Sequence, residues 1–94
     1  MIERLAQLKK TIETRYPCAA WHVGHTLVEP PASEDPSWNG QIEIFRLVGH
    51  PQALRCYAWS WSRDSVVKTE TILELSPVNS AETALQFALD RPDA

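Results

Sequence analysis

The chain has 94 residues and a mass of 10.6 kDa, enough for a single small α+β domain over residues 1–94 and too little for a separate cofactor domain. Hydrophobic residues are 44% and charged residues 22%, an ordinary globular balance, while a formal net charge of -3 and only 3 glycines argue against a general phosphate-backbone binder or a glycine-rich phosphate cradle. The 2 cysteines cannot make a disulfide framework, the start Met1-Ile2-Glu3-Arg4-Leu5 has no apolar run behind it, and no stretch approaches the ~20 apolar residues of a membrane span, so a cytoplasmic protein acting away from membranes is expected.

The first segment reads as a helix. Ile2, Leu5, Leu8, Ile12 and Tyr16 recur at three- and four-residue spacing and share one face. Pro17 stops the helix, because the residue before a proline is pushed out of the α region. Ala19 to Val28 reads as a strand, with Gly24 as a bulge or close-approach point. Glu29 to Gly40 carries three prolines and three acids and reads as an irregular link. Trp38, near its end, is expected to fold back on the core as a lid.

Three more strands follow: Gln41 to Val48, Ala53 to Trp61 and Val66 to Leu75. The links Gly49-His50-Pro51-Gln52 and Ser62-Arg63-Asp64-Ser65 are short enough to require antiparallel hairpins. The last segment reads as a helix with Asn79 as N-cap and Glu82 three residues on, and Ala81, Ala84, Leu85, Ala88 and Leu89 form its apolar stripe before Arg91-Pro92. The expected architecture is α-β-β-β-β-α: a four-stranded antiparallel sheet with the N-terminal and C-terminal helices packed on one face.

Simple hairpin register places Leu47 opposite Leu54, Arg46 opposite Arg55 and Ile44 opposite Tyr57. Across the later turn it places Trp61 opposite Val66 and Trp59 opposite Lys68. One sheet face then carries Phe45, Leu47, Leu54, Cys56, Ala58, Val67, Leu73 and Leu75, which are apolar or small. The other mixes large aromatics with charges: Ile42, Ile44, Arg46, Arg55, Tyr57, Trp59, Trp61, Lys68 and Glu70. Charged residues are rarely buried unpaired, and Trp, Tyr and Arg are enriched at interface hot spots. The aromatic face therefore reads as an exposed interaction surface.

Cys18-x3-His22-x2-His25 has ligand types that suit zinc. On a regular strand, however, His22 and His25 point to opposite faces, and only a bulge at Gly24 would bring them together. Cys18 with His22 could form a nucleophile pair, but no oxyanion site or substrate pocket is signalled. No catalytic or metal residue and no cofactor is assigned. The function expected is a non-catalytic binding module with Trp38, Ile42, Ile44, Arg46, Arg55, Tyr57, Trp59, Trp61 and Lys68 as its site, engaging a protein partner or a second copy. A single-stranded nucleic-acid-binding domain is the alternative, since aromatic platforms with cationic neighbours stack bases and hold phosphates. A small-ligand or metal-dependent enzyme is the third reading.

Overall fold

A computed structural model of the protein describes residues 2–29, 38–63 and 65–90. The elements are α1 (Ile2–Arg15), β1 (Ala19–Leu27), β2 (Gln41–Val48), β3 (Arg55–Arg63), β4 (Val66–Leu73) and α2 (Ala81–Asp90). The strands form one antiparallel sheet in the order β1-β2-β3-β4. Element order and sheet are those expected from the sequence. Most of the Glu29–Gly40 link, residues 30–37, lies outside the described residues, as do Asp64, the Arg91-Pro92 stop and the side chain of Ile2.

The register of β2 on β3 is the expected one, with Phe45 opposite Cys56 and Arg46 opposite Arg55. That of β3 on β4 is not. Trp61 lies opposite Lys68, Trp59 opposite Glu70, and Arg63 opposite Val66, a shift of two residues. The strands run on to a link of only residues 64–65, where Ser65 takes φ 66°. A two-residue link needs the left-handed region that flanking strand twist demands. Because the shift is even, every side chain keeps its expected face.

The two helices do not share a face. Leu8 and Ile12 of α1 are buried with Ala20, Phe45, Leu47, Cys56 and Ala58. Ala81, Ala84 and Leu85 of α2 are buried with Ile42, Tyr57, Trp59 and Ile72. Those two sets alternate along the strands, so the sheet lies between one helix and the other. The reason is steric as well as hydrophobic. On one side, large helix residues meet small sheet residues (Ala20, Cys56, Ala58). On the other, a small-residue helix stripe meets large sheet residues.

Local bonds fix the joints. Glu13 takes Lys9 Nζ at 2.8 Å and the Ala20 amide at 2.9 Å on one oxygen, which ties α1 to the start of β1. These two contacts, the Lys9 bond first, lower the Glu13 pKa. At the far end of α1, Arg15 Nη1 donates to Thr71 Oγ1 at 2.8 Å, and the Tyr16 hydroxyl lies 3.2 Å from the same oxygen. The two ends of the long link are pinned by the Val28 amide on the Gly40 carbonyl at 2.9 Å, with Gly40 at φ 86°, where a side chain would be strained. The cap of α2 sits one residue later than expected. Ser80 Oγ accepts from the Thr83 amide at 3.2 Å, and Thr83 Oγ1 accepts from the Ser80 amide at 2.9 Å. This reciprocal box uses Thr83 in place of Glu82.

Candidate functional site

The aromatic face is core over most of its length. Ile42, Tyr57, Trp59 and Trp38 are all buried under α2, Trp59 at 3% exposure, and Ile44 and Trp61 pack partly buried against them. Leaving that much aromatic area in water would forgo a large share of a small domain's stability, so the helix takes it. Trp38 folds back as a lid, stacked on Trp59. The Tyr57 hydroxyl donates to Glu74 Oε2 at 2.6 Å. Burial first, then this acceptor, push its pKa up to about 12. Lys68 is exposed opposite Trp61 and not opposite Trp59. The reading of Tyr57 and Trp59 as an open interaction surface is thereby corrected.

One end of that face stays open. Trp21 pairs with Arg46, and Arg46 pairs with Arg55, a continuous row across β1, β2 and β3 on the side that α2 covers elsewhere. All three are exposed, Trp21 at 59%, and Val48 beside them is at 51%. Lys9 Nζ, from the helix on the opposite side, lies 5.7 Å from the Trp21 ring centroid, within cation–π range, so the two side chains meet at the β1 edge of the sheet. Neither arginine has an ion-pair partner among the described residues. Glu74, whose amide bonds the Arg55 carbonyl at 2.9 Å, gives its carboxylate to Tyr57 instead.

The histidines meet on the opposite face. A register shift between His22 and Gly24 leaves Val23 as an extra residue, so His22 lies opposite Phe45 and His25 opposite Glu43. Both now share the α1 side. His22 Nε2 is 2.7 Å from Glu43 Oε1, and Gln41 Nε2 donates to Glu43 Oε2 at 2.6 Å. Glu43 is only 3% exposed, so both its oxygens are satisfied inside the protein, as a buried carboxylate requires. The His22 ring rests edge-on to Phe45 at 5.3 Å. Among the described residues no hydroxyl or thiol bonds to this ring, so the pair is a structural tie. Cys18 joins the edge of the α1-side core and Cys56 its centre. Burial raises both thiols, that of Cys56 to about 12. No group of three or more His, Cys, Asp or Glu that could hold a metal ion occurs among the described residues. Nor is any described helix long and apolar enough to cross a membrane.

Of the nine residues expected to form one site, Arg46 and Arg55 remain together in the open and Lys68 is exposed elsewhere on the same face. Trp21 was missed. The signal for it lies in β1: a strand paired back along β2 puts Trp21, two residues before the bulged Val23, opposite Arg46. In comparisons with known proteins the chain matches no family model, no curated protein and no solved structure.

Proposed function

We propose that the protein is a binding module that takes an acidic protein segment on the Trp21–Arg46–Arg55 row. The observation that carries this reading is the direct opposition of Arg46 and Arg55, neither of which has an ion-pair partner among the described residues. Like charges opposite each other on a sheet are destabilising, and a carboxylate from a partner would turn that cost into attraction. Trp21 and Val48, both more than half exposed, supply an apolar contact beside the charges, the mix found at interface hot spots. A single-stranded nucleic acid needs a longer cationic track along its backbone, and the chain as a whole carries -3.

The test is fluorescence anisotropy with two labelled probes, an Asp/Glu-rich peptide containing Leu and Phe, and an oligo(dT) strand. The peptide should bind, more weakly as salt rises. Arg46→Ala, Arg55→Ala and Trp21→Ala should each weaken it several-fold, and Lys68→Ala should leave it unchanged. Preferential oligo(dT) binding would replace this reading with the nucleic-acid one. A dimer dissolved by Arg46→Glu would put a second copy in the partner's place. Peptide binding indifferent to both arginines would end it.

A further inference from the structure

Hydrogen bonding in the sheet sets how close Arg46 and Arg55 stand. Facing residues in an antiparallel pair alternate between bonded positions, about 5.5 Å apart at Cα, and unbonded ones, about 4.5 Å apart with their side chains nearer. The Leu47 amide donates to the Leu54 carbonyl at 2.8 Å, which makes that pair a bonded position. The next facing pair, Arg46 with Arg55, is therefore of the unbonded, closer kind. The Arg46 amide and carbonyl then point to β1, where the residue opposite is Trp21. Both arginines are exposed, and neither is in an ion pair among the described residues. The acid next along the row is Glu74, whose amide bonds the Arg55 carbonyl at 2.9 Å. Its carboxylate accepts from the Tyr57 hydroxyl at 2.6 Å. Two guanidinium groups thus leave the sheet at its closest cross-strand spacing, on the end of the face that α2 leaves open.

We infer, on the reading of the row as a surface for an acidic segment, that this pair is a phosphate clamp: the segment carries a phosphorylated side chain whose phosphate sits between Arg46 and Arg55. A carboxylate brings one charge and two oxygens, enough for the fork of one arginine. A phosphomonoester brings a charge of about −1.5 to −2 and three acceptor oxygens, enough to take both forks and to cancel the repulsion between them. The phosphodiester of a nucleic acid brings one charge and leaves the second arginine uncompensated. Trp21, 59% exposed, and Val48, 51% exposed, lie on the Arg46 side of the clamp and meet an apolar residue beside the phosphorylated one. Arginine suits this geometry where lysine does not, because its planar fork matches phosphate oxygens in pairs.

Fluorescence anisotropy tests this with one labelled peptide in three forms: an acidic sequence containing Leu and Phe, with serine, phosphoserine or a Glu-Glu pair at its centre. The phosphoserine form should bind about tenfold more tightly than the serine form. The Glu-Glu form, matched to it in charge, should fall near the serine form. Arg46→Lys and Arg55→Lys keep the charge and, at exposed positions, the fold. Each should remove most of the phosphoserine gain and change binding of the serine form by less than about twofold. Equal binding of the serine and phosphoserine forms, or a Glu-Glu form as tight as the phosphoserine one, overturns the clamp and leaves the acidic-segment reading in place. So does a gain that survives both lysine variants. A readout free of any peptide is the ¹⁵N signal of the two arginine Nε–H groups, assigned through the same variants, during titration with phenyl phosphate. Both should move saturably, and acetate should produce no saturable shift. Movement of both with no form of the peptide bound would end the acidic-segment reading and keep the phosphate site, whereas no movement of either ends the clamp.

Discussion

Trp38 lies stacked on Trp59, ring centroids 6.2 Å apart and planes inclined by 21°. The pair joins the end of the long link to the centre of β3, and α2 closes over both. A residue from an irregular segment is thus part of the core on the aromatic side, and the link is held at that end by packing as well as by the Val28–Gly40 bond.

Trp59→Ala should therefore behave as a core truncation and cost about 3–5 kcal/mol of folding stability. For a domain of this size that is a large part of the total. Urea denaturation checks it, and a loss under about 1 kcal/mol would show that Trp59 carries little of the core.

The His22–Glu43 tie separates the two histidines of β1. His22→Ala strips one oxygen of a buried carboxylate of its partner and should cost about 1–3 kcal/mol. His25→Ala, on the same face and exposed like His22, removes no bond to Glu43 and should stay within about 0.5 kcal/mol. Equal losses in chemical denaturation would mean that the contact with Glu43 contributes nothing net.

The reciprocal cap at the start of α2 predicts an ordering among neighbours. Ser80→Ala and Thr83→Ala should each cost about 1 kcal/mol. Glu82→Ala, which leaves both capping bonds in place, should cost only the few tenths that a first-turn acid contributes. Thermal melts of the three variants decide it.

Much of this fold is legible in the residues. Alternation in Gln41–Val48 and the short link after it pin β2 on β3 in register, and Gly24 marks the bulge correctly. The β3–β4 register is not legible, because Trp59-Ser60-Trp61-Ser62 repeats with period two and a slip of two residues preserves the pattern. Ser65 adds no glycine or asparagine to flag the tight link. An amphipathic stripe says that a helix will be buried and not which side of the sheet it will take. That choice follows from size matching: Ala81, Ala84 and Ala88 can approach Tyr57 and Trp59 closely, which the larger Leu8 and Ile12 cannot. Trp21 escapes notice for a related reason, since its place in the site depends on pairing across the long link.

Stability should fall at alkaline pH. Cys56 and Tyr57 have ordinary values of 9.0 and 10.0, and the folded protein holds both near 12. Below about pH 9 both groups are protonated in either state and their stabilising effect is complete. Between those values and 12 the unfolded chain ionises and the folded chain does not, so each step up in pH favours unfolding. Urea midpoints measured from pH 8 to 11 should decline, and Tyr57→Phe should flatten the decline above pH 10. An unchanged slope in that variant would mean that Tyr57 ionises as readily folded as unfolded.

Because the helix that covers the aromatic side is α2, the two halves of the interior close at different times during synthesis. A nascent chain can seat α1 on its side of the sheet as soon as the strands pair. Ile42, Tyr57, Trp59 and Ile72 lack their helical cover until residues 81–90 have left the ribosome, even with Trp38 stacked on Trp59. A protease cut in the segment between β4 and α2 would return the protein to that state, with a broad greasy surface on offer. The short alanine-rich helix thus acts as the seal of the molecule, and a chain that has lost it is marked for aggregation or degradation by the very residues that stabilise the intact one.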